Sequence, residues 1–273
     1  IINICNLKGY TVIRGLYTAA TGMNSMQHQI DVTSNNIANV NTTGFKQDRA
    51  EFQDLMYETL NYTAGQTTQT TINPTGIDVG LGVRVSGVQK NFTEGDLKLT
   101  SNELDLAIKG KGFFQITLPS GETAYSRNGA FKLNEEGSIV NGSGYPLNPE
   151  IVIPDNVTEL TIGTDGTVTA TDPQTGDIVN LGQITIADFI NPAGLTPLGD
   201  SLFMQSAASG DVLEGNPTEA QFGAIQQGMI ESSNVKLVNE MVDLITAQRA
   251  YEANSKAITT TDSMLDTVNR LKN

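Results

Sequence analysis

A chain of 273 residues with 38% apolar residues and no Trp has the length for about two domains and the apolar content for ordinary cores. Its net charge of −14 repels phosphate backbones, which argues against nucleic acid as a partner. A single Cys5 and a single His28 exclude an intramolecular disulfide, the common zinc sites and the usual Cys/His nucleophile.

Residues 1–11 fit no heptad frame and read as a separate leader. They lack the basic region, apolar core and cleavage site of a secretory signal peptide. No apolar run reaches about eighteen residues, so no membrane span is expected. The chain is expected either to stay in the cytoplasm or to leave the cell by a route that needs no cleaved signal.

Val12 to Val40 reads as a helix of roughly 40 Å. Leu16, Met23, Ile30 and Ile37 repeat every seven residues, and Ala19, Met26, Thr33 and Val40 fill a second line. That is an a/d seam with a 3.5-residue period, as in a left-handed supercoil. Gly15 and Gly22 each cost about 1 kcal/mol of helix propensity, so this helix needs a partner. His28 falls off the seam and reads as a surface residue. The density of Asn and Thr from Ser34 to Thr43 ends the helix, because their side chains compete for backbone hydrogen bonds. Gly44 can close it in the left-handed conformation, with Phe45 packing back.

In the stretch Gln47 to Tyr62, Phe52, Met56 and Leu60 recur at i, i+4 and i+8 with Leu55 beside them, a short amphipathic piece. Thr63 to Gly76 is Thr- and Gly-rich and reads as an extended loop. From Gly80 to Gly228, short alternations such as Leu104-Leu106-Ile108, Phe114-Ile116-Leu118, Leu160-Ile162 and Val168-Ala170 lie between glycine turns. Their spacing predicts an antiparallel sandwich or barrel. No Lys or Arg occurs between Lys132 and Lys236. Such a surface is solubilising, or is an outer face that must not adhere to an acidic neighbour.

The last stretch, Ser232 to Asn273, carries the second seam. Leu237, Leu244, Tyr251, Ile258 and Leu265 form one line, and Ala247, Asn254, Thr261 and Val268 the other. Ser232 or Ser233 can cap its start. The polar seam residues Thr33, Asn254 and Thr261 cost stability and fix register. The resulting fold class is α+β. A helical coiled-coil module is formed by both termini (12–46 with 229–273), and a mainly antiparallel β domain spans 77–228. Residues 47–76 link the two. Seams at opposite ends of one chain suggest an elongated protein that assembles with copies of itself.

Signals for chemistry are weak. Gly110-x-Gly112 lacks the helix N-terminus that a phosphate loop needs, because Phe113-Phe114-Gln115-Ile116 reads as a strand. Asp165-Gly166-Thr167 lacks the acidic ladder and closing Glu of a calcium loop and reads as a turn. No pair of carboxylates is singled out for glycoside hydrolysis. No catalytic residue, cofactor or metal is expected.

Asn36-Ile37-Ala38-Asn39-Val40-Asn41-Thr42-Thr43-Gly44-Phe45 resembles the N-terminal signature of bacterial flagellar rod and hook proteins. Within it Asn36, Ala38, Asn39, Gly44 and Phe45 carry the motif. Ser233-Asn234-Val235, Glu240-Met241-Val242 and Gln248 to Lys256 resemble the family's C-terminal pattern. Residues 107–114 and 125–131 are similar to segments of its hook and distal-rod branch. The stretch Arg49 to Tyr57 resembles one that distinguishes the straight distal rod from the curved hook. The resemblance implies a structural subunit that polymerises helically into a stiff, hollow drive shaft, carrying torque from the motor to the hook. It also implies export by the flagellar type III apparatus and a place in the basal body, in the rod crossing the periplasm. The implied partners are copies of itself, proximal-rod proteins, the hook protein and the P-ring and L-ring proteins. The alternatives are a hook or other rod protein of the same family, or a secreted β-rich binding module, which the paired heptads disfavour.

Overall fold

The computed structural model describes residues 2–61, 76–154, 157, 159–172, 177–219 and 221–272, with side chains except at 2–13, 60, 61, 77, 271 and 272. The expected Thr63–Gly76 loop lies almost wholly outside these residues, as do the side chains of the leader. The protein is α+β. Two helices, α1 (Ile2–Ala38) and α2 (Leu237–Lys272), accompany sheets whose recorded pairings are all antiparallel. The chain divides into two compact units.

The first unit holds Ile1–Ile37, Asp48–Gln89 and Leu237–Asn273. Its strands are β1 (Asp48–Asp54), β2 (Tyr57–Asn61), β3 (Ile77–Gly80) and β4 (Val83–Lys90). β1 pairs with β4, and β2 pairs antiparallel with β3, matching Tyr57 to Gly80 and Thr59 to Asp78. The Phe52–Leu60 row was expected as an amphipathic piece of helical spacing and is instead two strands. β-branched and aromatic residues are few there, but Leu55 N–H donates to Gly82 O at 2.9 Å, and the partner strands supply the ladder that helix propensity does not. The i, i+4 spacing therefore forms no single stripe.

The two helices meet at two places. A side-chain carbon at Gly22 would lie 2.9 Å from Asn254 Nδ2, and Asn36 Nδ2 donates to Glu240 Oε2 at 3.1 Å. Gly22 precedes Asn36 by as many residues as Asn254 follows Glu240, so α1 and α2 run antiparallel. Helix ends differ from expectation. α1 stops at Ala38, inside the Asn-rich run, and α2 starts at Leu237, not at a Ser232 or Ser233 cap. Met229–Glu231 is a strand paired with Leu97–Leu99, and the chain beyond it stays tied to that partner, Ser232 N–H donating to Asp96 O at 2.9 Å, while Ser233 Oγ accepts the Val235 N–H ahead of the helix.

The second unit holds Ala38–Gln47 and Lys90–Lys236. Its largest sheet centres on Phe113–Thr117, flanked by Thr123–Ser126 on one side and Ile186–Phe189 on the other. Both faces are covered. Phe114 packs with Leu106, Ile108, Phe131 and Ile184, while Phe113 points the other way into Tyr125, Phe189, Leu195 and Phe203. Edge-to-face ring pairs such as Phe114–Phe131 at 5.1 Å and Tyr125–Phe189 at 4.8 Å add order beyond area burial. Of the alternating apolar positions read from the sequence, Leu106, Ile108, Phe114, Ile116, Leu160, Ile162, Val168 and Ala170 are buried, and Leu104 and Leu118 are half-buried.

Candidate assembly site

In the first unit, Asn36 occupies the last turn of α1 and is 1% exposed. Its side-chain amide behaves like a strand edge. Oδ1 accepts the Asp48 backbone N–H at 2.9 Å, and Nδ2 donates to Asp48 O at 2.8 Å. The same Nδ2 reaches Glu240 Oε2, a buried carboxylate in the first turn of α2, where the helix dipole favours negative charge. Only Asn and Gln carry a planar amide whose carbonyl and NH2 lie side by side to match a peptide edge, and Gln is longer by one methylene. One side chain thus ties together the end of α1, the start of β1 and the start of α2.

In the second unit, Gly44 has φ +68°, and a Cβ there would lie 2.6 Å from Asn128 N. Glycine is required both for the left-handed conformation and for space. Its N–H donates to Glu231 O at 2.9 Å. Lys90 Nζ lies 5.3 Å from the centre of the Phe45 ring. Together with Asn39, Pro197, Asp200 and Phe203 these residues line a cleft of about 330 Å³.

Beside this cleft is a buried charge cluster. Lys46 Nζ donates to Glu231 Oε1 at 2.6 Å and to Thr93 O at 2.8 Å, and neither charged side chain has any exposure. Arg127 Nη1 approaches Glu231 Oε2 at 3.4 Å, and its Nη2 donates to Gly110 O at 2.6 Å. Gly95 N–H donates to the same carboxylate at 2.9 Å. Burial pulls the Lys46 ammonium below its ordinary pKa, against the opposing pull of Glu231. Burial also lowers Arg127. Next to it, Asn234 Oδ1 accepts the Gln47 N–H at 2.8 Å, while its Nδ2 donates to Asn91 O and Thr93 O. These bonds stitch the N-terminal signature to the segment that leads into α2.

The expected seam residues are only partly covered in one chain. Leu16, Met23, Ile30 and Ile37 of α1 are half-buried, as are Leu244, Ile258 and Leu265 of α2. Leu237 and Tyr251 remain 39% and 38% exposed. The polar positions fare differently. Thr33 is buried, Asn254 sits against Gly22, and Thr261 is half-buried. In the linking stretch Leu55 is half-buried, Phe52 is exposed and Met56 is 83% exposed. The side chain of Leu60 lies outside the described residues. Sequence reasoning missed Glu231 and Arg127 altogether. The available signal was a carboxylate two residues ahead of Ser233-Asn234, in a stretch otherwise free of counter-charge.

The geometry holds polar groups in place. Among the described residues, no group of three His, Cys, Asp or Glu could hold a metal ion.

Three family models match the chain. One described as flagella basal body rod protein matches residues 16–46. That of the flagellar hook protein FlgE/F/G D1 domain matches 107–170, and that of the flagellar basal body rod FlgEFG protein C-terminal matches 226–271. The flagellar basal-body rod protein FlgG of Agrobacterium fabrum is 48% identical over 260 residues, covering 94% of this chain and 99% of the relative. FlgG of Caulobacter vibrioides is 47% identical over 266 residues, covering 95% of this chain and all of the relative. The crystal structure of Helicobacter pylori flagellar hook protein FlgE2 is similar over 68% of this chain and 43% of its own, with 13% identity and a TM-score of 0.24, too low to bear on the fold.

Proposed function

The chain belongs to the flagellar basal-body rod family, and we propose on that premise that it is a subunit of the distal rod, polymerising helically into a stiff hollow shaft. As a member it is a structural rod subunit, not an enzyme. End-to-end identity to FlgG proteins carries the distal assignment, because proteins matched over their whole length share the outer parts as well as the terminal helices.

The geometry lends support to finer steps of this reading. The antiparallel contacts at Gly22–Asn254 and Asn36–Glu240 are spaced as two heptads on both helices. That spacing supports coiled-coil pairing of the termini. The half-exposed seam residues Leu237, Tyr251 and Leu265 then complete their burial against neighbouring copies. The stretch Gln47–Tyr62 contacts those copies and resists bending, a reading that the exposure of Phe52 and Met56 supports. Export through the flagellar type III apparatus without a cleaved signal peptide, a place in the rod across the periplasm, and contacts with proximal-rod, hook, P-ring and L-ring proteins belong to the same reading.

Electron microscopy of the purified full-length chain tests it. Straight hollow tubes are expected. A chain that remains monomeric under all assembly conditions overturns it, and curved tubes would favour the hook.

A further inference from the structure

We propose that a stripe on the outer face of α2, formed by Val238, Met241, Val242 and Ile245, is covered in the assembled state by the Met56–Tyr57 corner of a second copy of this chain. The inference rests on the reading of the protein as a self-assembling rod subunit and specifies which surfaces meet.

The four stripe residues are spaced i, i+3, i+4 and i+7, one face of a helix. They are 48–73% exposed. At about 100° per residue they lie roughly 150° around the helix from Glu240, Leu244 and Ala247, the side turned to α1. A helix with two apolar faces has two partners, and α1 supplies only one.

The corner has the opposite shape. It joins β1 to β2, and Met56 and Tyr57 are 83% and 60% exposed. It is nonetheless held firmly. Leu55 N–H bonds Gly82 O at 2.9 Å, and Glu58 pairs with Arg14 at 2.8 Å. A fixed apolar knob and a flat helical stripe on the same chain are not self-complementary. Pairing one with the other is therefore heterologous: each copy that docks its corner still presents its own stripe, and the contact propagates without closing. That is the geometry of a filament, not of a dimer.

Charge gives the contact a direction. One turn beyond Ile245, on the same face, stands Arg249, 78% exposed and bonded to Glu252 on the helix surface at 3.0 Å. Asp54, the last residue of β1, lies two residues before Met56, and Glu51 is in the same strand. The stripe thus ends in an exposed ion pair, Arg249 with Glu252 on the same face, and such a pair is weak enough to exchange partners. Carboxylates at one end of the corner favour the orientation that sets them on Arg249 over the one that sets them on Glu252.

The test uses full-length chains in which Cys5→Ser removes the single native thiol. Met56→Cys chains are mixed with Val242→Cys chains, assembled and oxidised. Disulfide-linked dimers containing one chain of each kind are expected, and none in mixtures held below the assembling concentration. Polymers without such mixed dimers overturn the pairing. A wild-type chain that never polymerises overturns the underlying reading instead. If the cysteine variants do not assemble, the critical concentrations of Met56→Ala, Ile245→Ala and the double variant decide. Each single change is expected to raise it about tenfold. The double variant should fall well short of the product; an effect equal to the product means the two sites are independent and sinks the proposal.

Discussion

Lys46 and Glu231, separated by 185 positions in the chain, meet at 2.6 Å with no exposure of either charged side chain. The pair fastens the end of the N-terminal signature to the strand that precedes α2. It sits inside the β unit, where Arg127 and the Gly95 N–H share the same unexposed carboxylate, so Glu231 depends on these partners in place of solvent.

Removing that carboxylate should therefore be costly. Glu231→Gln leaves Lys46 and Arg127 buried without their counter-charge and is expected to destabilise the protein by about 3–5 kcal/mol. Chemical denaturation of the full chain measures it. The exposed Glu135, changed to Gln, serves as the control, and a cost as small for Glu231→Gln as for that control would show the cluster to be solvated.

A second expectation concerns pH. Two cations share Glu231, so releasing the Lys46 proton leaves a balanced Arg127–Glu231 pair. Burial accordingly holds the native Lys46 below its unfolded value of 10.5. The unfolded chain then binds more protons than the native one between the lowered value and 10.5, and stability rises with pH across that window. Other groups titrate there too, so the quantity to read is the difference between wild type and Lys46→Met. The wild-type chain should gain stability relative to the variant as pH climbs through the window. A relative loss would mean that Glu231 outweighs burial and the native ammonium is favoured.

Asn36 offers a test of a different kind. Asn36→Asp keeps the acceptor for the Asp48 N–H but loses the donor to Asp48 O and sets a carboxylate against Glu240. Leaving a buried group unsatisfied costs about 1–3 kcal/mol, and like-charge repulsion adds to it. Glu240→Gln should recover part of the loss in the double variant, since the new amide can donate. Thermal unfolding of the four chains gives the coupling. Additive effects would place Asn36 and Glu240 out of contact in solution.

Much of this was legible in the sequence, and the limits were physical. The alternating residues Phe114, Ile116, Val168 and Ala170 predicted strands because burial on a sheet repeats every two residues, and all four are buried. The α1 stop was legible from its Asn and Thr. What failed was local spacing without length. Phe52, Met56 and Leu60 mimic a helical stripe over only about two turns, and pairing with distant strands overrides it. The partners of Lys46 were illegible because an ion pair spanning most of the chain leaves no periodic trace. Gly22 read as a flaw in the helix; against Asn254 it is the space that lets the two helices close.

The exposed corner leads to the final expectation. In the free chain, Met56 contributes little to a core, being 83% exposed, while Phe52, at 36%, keeps most of its ring covered. Changing Met56 to Ser should leave monomer stability within about 0.5 kcal/mol of wild type, and changing Phe52 as well should cost about 1–2 kcal/mol more without unfolding the chain. In the polymer the same side chains would be worth roughly 1.5–3 kcal/mol apiece if neighbouring copies bury them. Bending a tube requires adjacent subunits to slide, and contacts of that size repeated around the circumference resist sliding. Polymers of the Phe52→Ser, Met56→Ser chain are therefore expected to form yet to curve, with a shorter persistence length in electron micrographs. Straight tubes from this variant, with wild-type persistence length, would assign stiffness to the helices or the β unit instead and reduce residues 47–62 to a connector.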